Sequence, residues 1–142
     1  LRPPPGTPER RRFTYWLHFA EGSAMPPLLM KLVFDKVRRA PVPFFVKPVT
    51  RGIADKVMAS FVTPNLERMY AFMEGELGER AWFAGDAFSA ADVQMSFALE
   101  AAAQRGGLDA RYPRLRDWLE RVHARPAYRR ALERGGPYTI AD

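Results

Sequence analysis

The chain has 142 residues, 47% of them hydrophobic and 27% charged, the size and mix of one globular domain that folds without disulfides or a structural metal. It contains no cysteine and only two histidines, His18 and His123, so its own residues exclude a thiol nucleophile, a redox pair and a structural zinc site. A net charge of +6 raises nucleic acid as a partner, yet 18 of the 22 basic residues are Arg, a bias of the whole composition more than a dedicated patch. No apolar run approaches the length of a membrane span and the N-terminus lacks a signal-peptide pattern; a cytoplasmic protein with no membrane partner is expected.

Four prolines among the first eight residues, Pro3, Pro4, Pro5 and Pro8, give residues 1–7 the character of an extended interdomain linker. Such a linker leads to the expectation that the sequence is the downstream part of a longer protein, although an engineered boundary would look the same. Thr7 is predicted to cap a helix whose first residue is Pro8. Phe13, Trp16, Leu17 and Ala20 then share one helical face, with Tyr15 and Phe19 on another. Pro26 and Pro27 predict a kink near Met25 before the helix resumes at Leu28 and ends with Arg38 and Arg39. Residues 40–50 are predicted to form a loop whose apolar residues, Phe44, Phe45 and Val46, tuck back onto the helices. A second long helix runs through Ile53, Val57 and Phe61, kinks at Pro64, continues through Leu66, Met69, Tyr70, Met73 and Leu77, and is capped by Gly78.

Ser89 and Asp92 form a predicted capping box, with Phe88 and Val93 as its hydrophobic staple. They start a nearly fully buried central helix, polar only along Asp92, Ser96, Glu100 and Gln104, and closed by Gly106-Gly107. A fourth helix from Tyr112-Pro113 presents Leu115, Trp118, Leu119 and Val122, and a short fifth runs from Ala127 to Arg134. The predicted class is all-α: a five-helix bundle with two long kinked helices and a buried central one, occupying residues 8–142.

Few residues carry chemistry by spacing. His18 reads as a structural or pocket-edge histidine and His123 as a solvated one. Glu74 and Glu76 lie two positions apart and do not face each other, against a paired acid–base mechanism. The role of Asp92 is explained by capping alone. Glu21-Gly22-Ser23, beside the proline kink, is the best candidate for a ligand site, because a break frees backbone groups and glycine permits close approach. Between Arg105 and Arg134 stand nine arginines and four acids, read as a solvated face. Nucleic acid is therefore not the expected partner, and no metal is expected.

The segments Tyr15-Trp16-Leu17-His18-Phe19-Ala20-Glu21-Gly22-Ser23, Met73-Glu74-Gly75-Glu76-Leu77, Trp82-Phe83-Ala84-Gly85-Asp86 and Phe88-Ser89-Ala90-Ala91-Asp92, in that order, resemble the C-terminal helical domain of cytosolic glutathione S-transferases. The resemblance is closest to a branch shared by fungi and bacteria that carries a similar aromatic-Glu-Gly-Ser followed by Pro-Pro. It implies glutathione as co-substrate, bound and activated in an N-terminal thioredoxin-like domain that has no counterpart in this sequence. This half would then hold no catalytic residue and be inactive alone. It would supply the wall of a pocket for a hydrophobic electrophile, with Phe19, Ser23, Met25 and Tyr15 as candidate wall residues, and part of a homodimer interface, serving conjugation or peroxide reduction. The alternative is a non-catalytic helical interaction module, extending to RNA-associated complexes.

Overall fold

A computed structural model describes residues 1–136 and 140. Among the described residues there are seven α-helices: α1 (Pro8–Phe19), α2 (Met25–Arg39), α3 (Lys47–Val57), α4 (Thr63–Glu76), α5 (Ala90–Ala101), α6 (Pro113–His123) and α7 (Pro126–Gly135). Three π-helical segments, Ala20–Ala24, Met58–Val62 and Ala102–Gly106, join or extend them. The result is five continuous rods, the first two long and interrupted, as the sequence predicts. Among the described residues there is no β-strand; one bridge pairs Trp82 with Gly85.

The first two π segments have a common cause. Proline cannot donate to the carbonyl one turn back, and its ring crowds that carbonyl. Ahead of Pro26 and Pro64 the helix widens by one residue, so the Met25 N–H reaches Ala20 and the Thr63 N–H reaches Met58. The rods continue through each proline instead of ending. In the third segment the Gly107 N–H bonds to Ala102, and Gly107 closes the rod at φ +81°.

Trp16, Trp118, Tyr70, Phe83, Met73, Met95, Leu99 and Leu115 are the largest side chains of a core built by the first four rods and the loop before α5, with Tyr128 of α7 half-buried against it. The α5 helix lies at its centre, packed on α1, α2 and α6. Its orientation differs from the sequence expectation: Asp92 and Glu100 are buried, whereas Val93 and Phe97 are 52% and 43% exposed. These two carboxylates of the stripe face inward because donors from other elements meet them there, whereas Ser96 is half-buried and Gln104 exposed.

The turn between α2 and α3 also corrects the expectation. The Val46 and Lys47 N–H groups both bond to the Pro43 carbonyl, at 2.9 and 3.3 Å, and Pro48 sits in the first turn of α3, where its missing N–H costs nothing. The helix therefore starts inside the expected loop, and Phe44 and Phe45 point to solvent instead of tucking back. At the N-terminus, the Leu1 carbonyl accepts the Ala90 N–H at 2.8 Å and the Pro3 carbonyl accepts from Arg10, so residues 1–7 lie against the start of α5 and α1.

Candidate functional site

The aromatic face of α1 finds its second surface on α4. Trp16, 1% exposed, stacks on Phe72 at 5.6 Å between ring centroids, and Phe19 lies 4.9 Å from Trp16 and 5.8 Å from Phe72. Beside this cluster the two long rods leave a groove of about 420 Å³ between them. The first rod lines it with Phe19, Ser23, Pro26, Pro27 and Met30, and the second with Phe61, Asn65, Arg68, Met69 and Phe72. Such a volume suits one small, mostly apolar molecule.

Polar groups are confined to the edges. Arg68 is held along α4, its Nε donating to the Pro64 carbonyl at 3.2 Å and its Nη2 to Asn65 Oδ1 at 2.9 Å. On the facing rod the Ser23 hydroxyl is exposed. Glu21 faces away from the groove: its carboxylate accepts from the Gln94 amide at 2.5 Å, tying the π segment to α5.

Of the candidate wall residues, Phe19 and Ser23 line the groove. Met25 is half-buried against the core, and Tyr15 stands outside the lining with its ring edge-on to Phe72 at 6.4 Å. Burial, and then the Glu76 carboxylate, push the Tyr15 phenol above its ordinary range against the opposing effect of Arg12, so it stays a protonated donor at neutral pH. The α4 contributors Asn65, Arg68 and Phe72, with Phe61 before them, recur at spacings of four, three and four. That is one helical face, legible as such; the apolar periodicity marks Phe61 and the neighbouring lining residue Met69 but none of Asn65, Arg68 and Phe72.

The acids have structural work. Glu74 accepts the Arg114 and Leu115 N–H groups at 2.9 and 3.0 Å, capping α6, whose N-cap Tyr112 makes no side-chain cap bond. Glu76 pairs with Arg12 at 2.6 Å. Ser89 accepts the Ala91 N–H at 3.3 Å and donates to Asp92 at 2.9 Å. Phe88 and Val93 line one apolar groove with Val122 and Tyr128, and the Phe88 ring lies against Trp82 under the Arg125 guanidinium.

His123 keeps 41% of its side chain exposed, as a solvated residue would, but it is also partnered. Its Nε2 lies 2.9 Å from Glu100 Oε1, which also accepts from the Tyr128 hydroxyl at 2.9 Å, and its ring stacks on Tyr128. A buried acid needs such partners, and a polar residue at a central-helix position was the available signal. His18 is exposed on α1. Among the described residues no three acid or histidine side chains converge as metal ligands would.

Comparison with known proteins agrees with this architecture. The family described as glutathione S-transferase, C-terminal domain, matches residues 49–121. The chain is similar to glutathione S-transferase 1 of Saccharomyces cerevisiae, 29% identical over 87% of this chain and 53% of that protein. It is also similar to glutathione S-transferase 3 of Schizosaccharomyces pombe, 34% identical over 89% of this chain and 52% of that one. The chain thus spans about half the length of the curated relatives it matches. Among solved structures, a glutathione S-transferase from Actinobacillus pleuropneumoniae shares the fold with a TM-score of 0.62 at 21% identity, over 94% of this chain and 54% of that one. A glutathione transferase from Methylococcus capsulatus superposes with a TM-score of 0.58 at 28% identity, over 95% and 58%.

Proposed function

The chain belongs to the glutathione S-transferase C-terminal domain family, and on that premise we propose that it forms the apolar wall of an electrophile site in a glutathione transferase. The observation that carries this reading is the groove between the two long rods, walled by Phe19, Phe61 and Phe72, the last backed by the buried Trp16 ring, with Ser23 and Arg68 also lining it. Apolar walls hold and desolvate an electrophile, which raises its effective concentration beside a thiolate. Glutathione and its activation are assigned to the remainder of the full-length protein, as the family resemblance implies, which leaves this mostly apolar groove to the electrophile. Tyr15 and Met25 are then second-row residues that set the position of Phe72 and of the π segment. A homodimer in the cytoplasm completes the proposal, with this chain inactive by itself.

The experiment is steady-state conjugation of glutathione to an aryl halide by the full-length protein. Ser23→Phe, at an exposed position, fills the groove, and Phe72→Ala opens it. Both are expected to raise KM for the aryl halide by roughly five- to tenfold with kcat much less affected, the signature of lost ground-state binding. Unchanged KM in both variants removes the groove from the site. A full-length protein that binds no glutathione overturns the transferase reading in favour of a non-catalytic interaction module.

A further inference from the structure

We propose that the turn joining α2 to α3 is a peripheral contact for anionic lipid bilayers. Residues 36–51 carry five cations, Lys36, Arg38, Arg39, Lys47 and Arg51, and no acid. Four of them, Arg38, Arg39, Lys47 and Arg51, line one open concavity with Pro41 and Val42. Arg38 is shared with Asp55 at 3.1 Å, which leaves the concavity net positive. Directly after it the turn presents Phe44 and Phe45, 83% and 69% exposed. The two bonds to the Pro43 carbonyl hold the backbone of the turn in a defined shape, from which both rings project into solvent. Exposed apolar character continues down α3 through Val49 and Ile53, four and eight residues beyond Phe45. Aromatic and aliphatic groups flanked by Arg and Lys suit a bilayer interface: the apolar groups enter the acyl boundary while the cations stay among the phosphates.

Charge and ring geometry select this occupant. A second copy docked about a two-fold axis would set the cation cluster against its own duplicate. Single-stranded nucleic acid stacks successive bases on ring faces, but the Phe44 and Phe45 rings stand at 87° to each other, 5.6 Å apart, beside aliphatic side chains that offer no stacking. Among the described residues no helix is long and apolar enough to cross a membrane; the expectation of no membrane partner rested on such a span, which a surface contact does not need.

The test is co-sedimentation of the full-length protein with vesicles of phosphatidylcholine and phosphatidylserine at about 3:1. Binding is expected that falls roughly tenfold or more in phosphatidylcholine alone and on raising salt past physiological strength. Phe44→Ser/Phe45→Ser is expected to weaken it roughly tenfold, and Arg39→Gln/Arg51→Gln to weaken it and flatten its salt dependence. All four side chains are exposed, so circular dichroism and glutathione conjugation of soluble substrates stay at wild-type values, and a negative result here leaves the proposed function standing. Absence of binding, equal binding to neutral vesicles, or wild-type binding by the Phe variant overturns the proposal. So does a Phe variant that turns a dimer into a monomer in sedimentation, or one that loses affinity for polyuridylate but not for vesicles.

Discussion

Asp92 is fully buried and meets four donors: the Phe83 N–H at 3.0 Å, the Ser89 N–H and hydroxyl at 2.9 Å each, and Trp118 Nε1 at 3.3 Å. One carboxylate thereby fixes the start of α5, the loop that carries Phe83 and the ring at the centre of α6. Removing it strands several buried donors at once, and each unpaired group carries its own desolvation cost. Asp92→Ala is expected to lose about 3–5 kcal/mol, a large share of the 5–15 kcal/mol typical of a domain. Ser89→Ala loses the cap but leaves the Asp92 bonds to Phe83 and Trp118, and is expected to cost about 1–2 kcal/mol. Urea unfolding followed by Trp fluorescence measures both, and a loss below about 1 kcal/mol for Asp92→Ala would contradict the account. The Ser89–Asp92 pair was legible because capping is local, spanning four residues. His123 and Tyr128 were not, because their partner Glu100 stands more than twenty residues earlier and only packing brings it to them.

Elements record the same division between local and distant causes. Pro26 and Pro64 announce the first two π segments in the sequence. Nothing local announces the third, whose role is to set Gly106 where α2 and α4 cross. A Cβ at Gly106 would lie 2.5 Å from the Tyr70 hydroxyl and 2.7 Å from a Leu28 methyl, and the Gly106 carbonyl accepts from that hydroxyl at 3.0 Å. Gly106→Ala is therefore expected to cost about 2–3 kcal/mol by overpacking, and Tyr70→Phe about 1 kcal/mol by leaving the carbonyl without its donor. The double variant is expected to cost less than the sum, since Phe removes one of the two clashing atoms. Tyr70 also makes stability depend on pH. Burial pushes its phenol well above the ordinary value of 10.0, and Tyr112 and Tyr15 shift the same way. Above about pH 10 the unfolded chain releases protons that the native one keeps, so stability is level below that pH and falls above it. Tyr70→Phe should flatten that fall, as read from urea midpoints between about pH 8 and 11; an unchanged slope would exclude Tyr70 as its source.

For the whole molecule, the question is why so much apolar surface stays in the open on a chain with a well-formed core. Binary pattern identified an all-α bundle and its central helix, but it assigned Val93, Phe97, Phe44 and Phe45 to the inside. Pattern reading treats every apolar residue as a debt to its own core, and it cannot tell a core face from a face meant for another surface. Here the core is complete without them: Asp92 and Glu100 face inward, and Val93 and Phe97 are left one turn apart on the outside, Val93 in a groove with Phe88 and Leu1. The chain spans about half of each curated relative, and the remainder of the full-length protein is expected to cover this face. Val93→Ser/Phe97→Ser distinguishes the two sources of stability. In the 142-residue chain the pair is expected to change stability by no more than about 0.5 kcal/mol, because both side chains are already near half exposed. In the full-length protein the same pair is expected to cost about 2 kcal/mol, since burying each side chain there contributes on the order of 1 kcal/mol. Thermal or urea unfolding of the four proteins supplies the comparison. Equal losses in the two contexts would place the face in contact with nothing and leave the covering of α5 to some other surface.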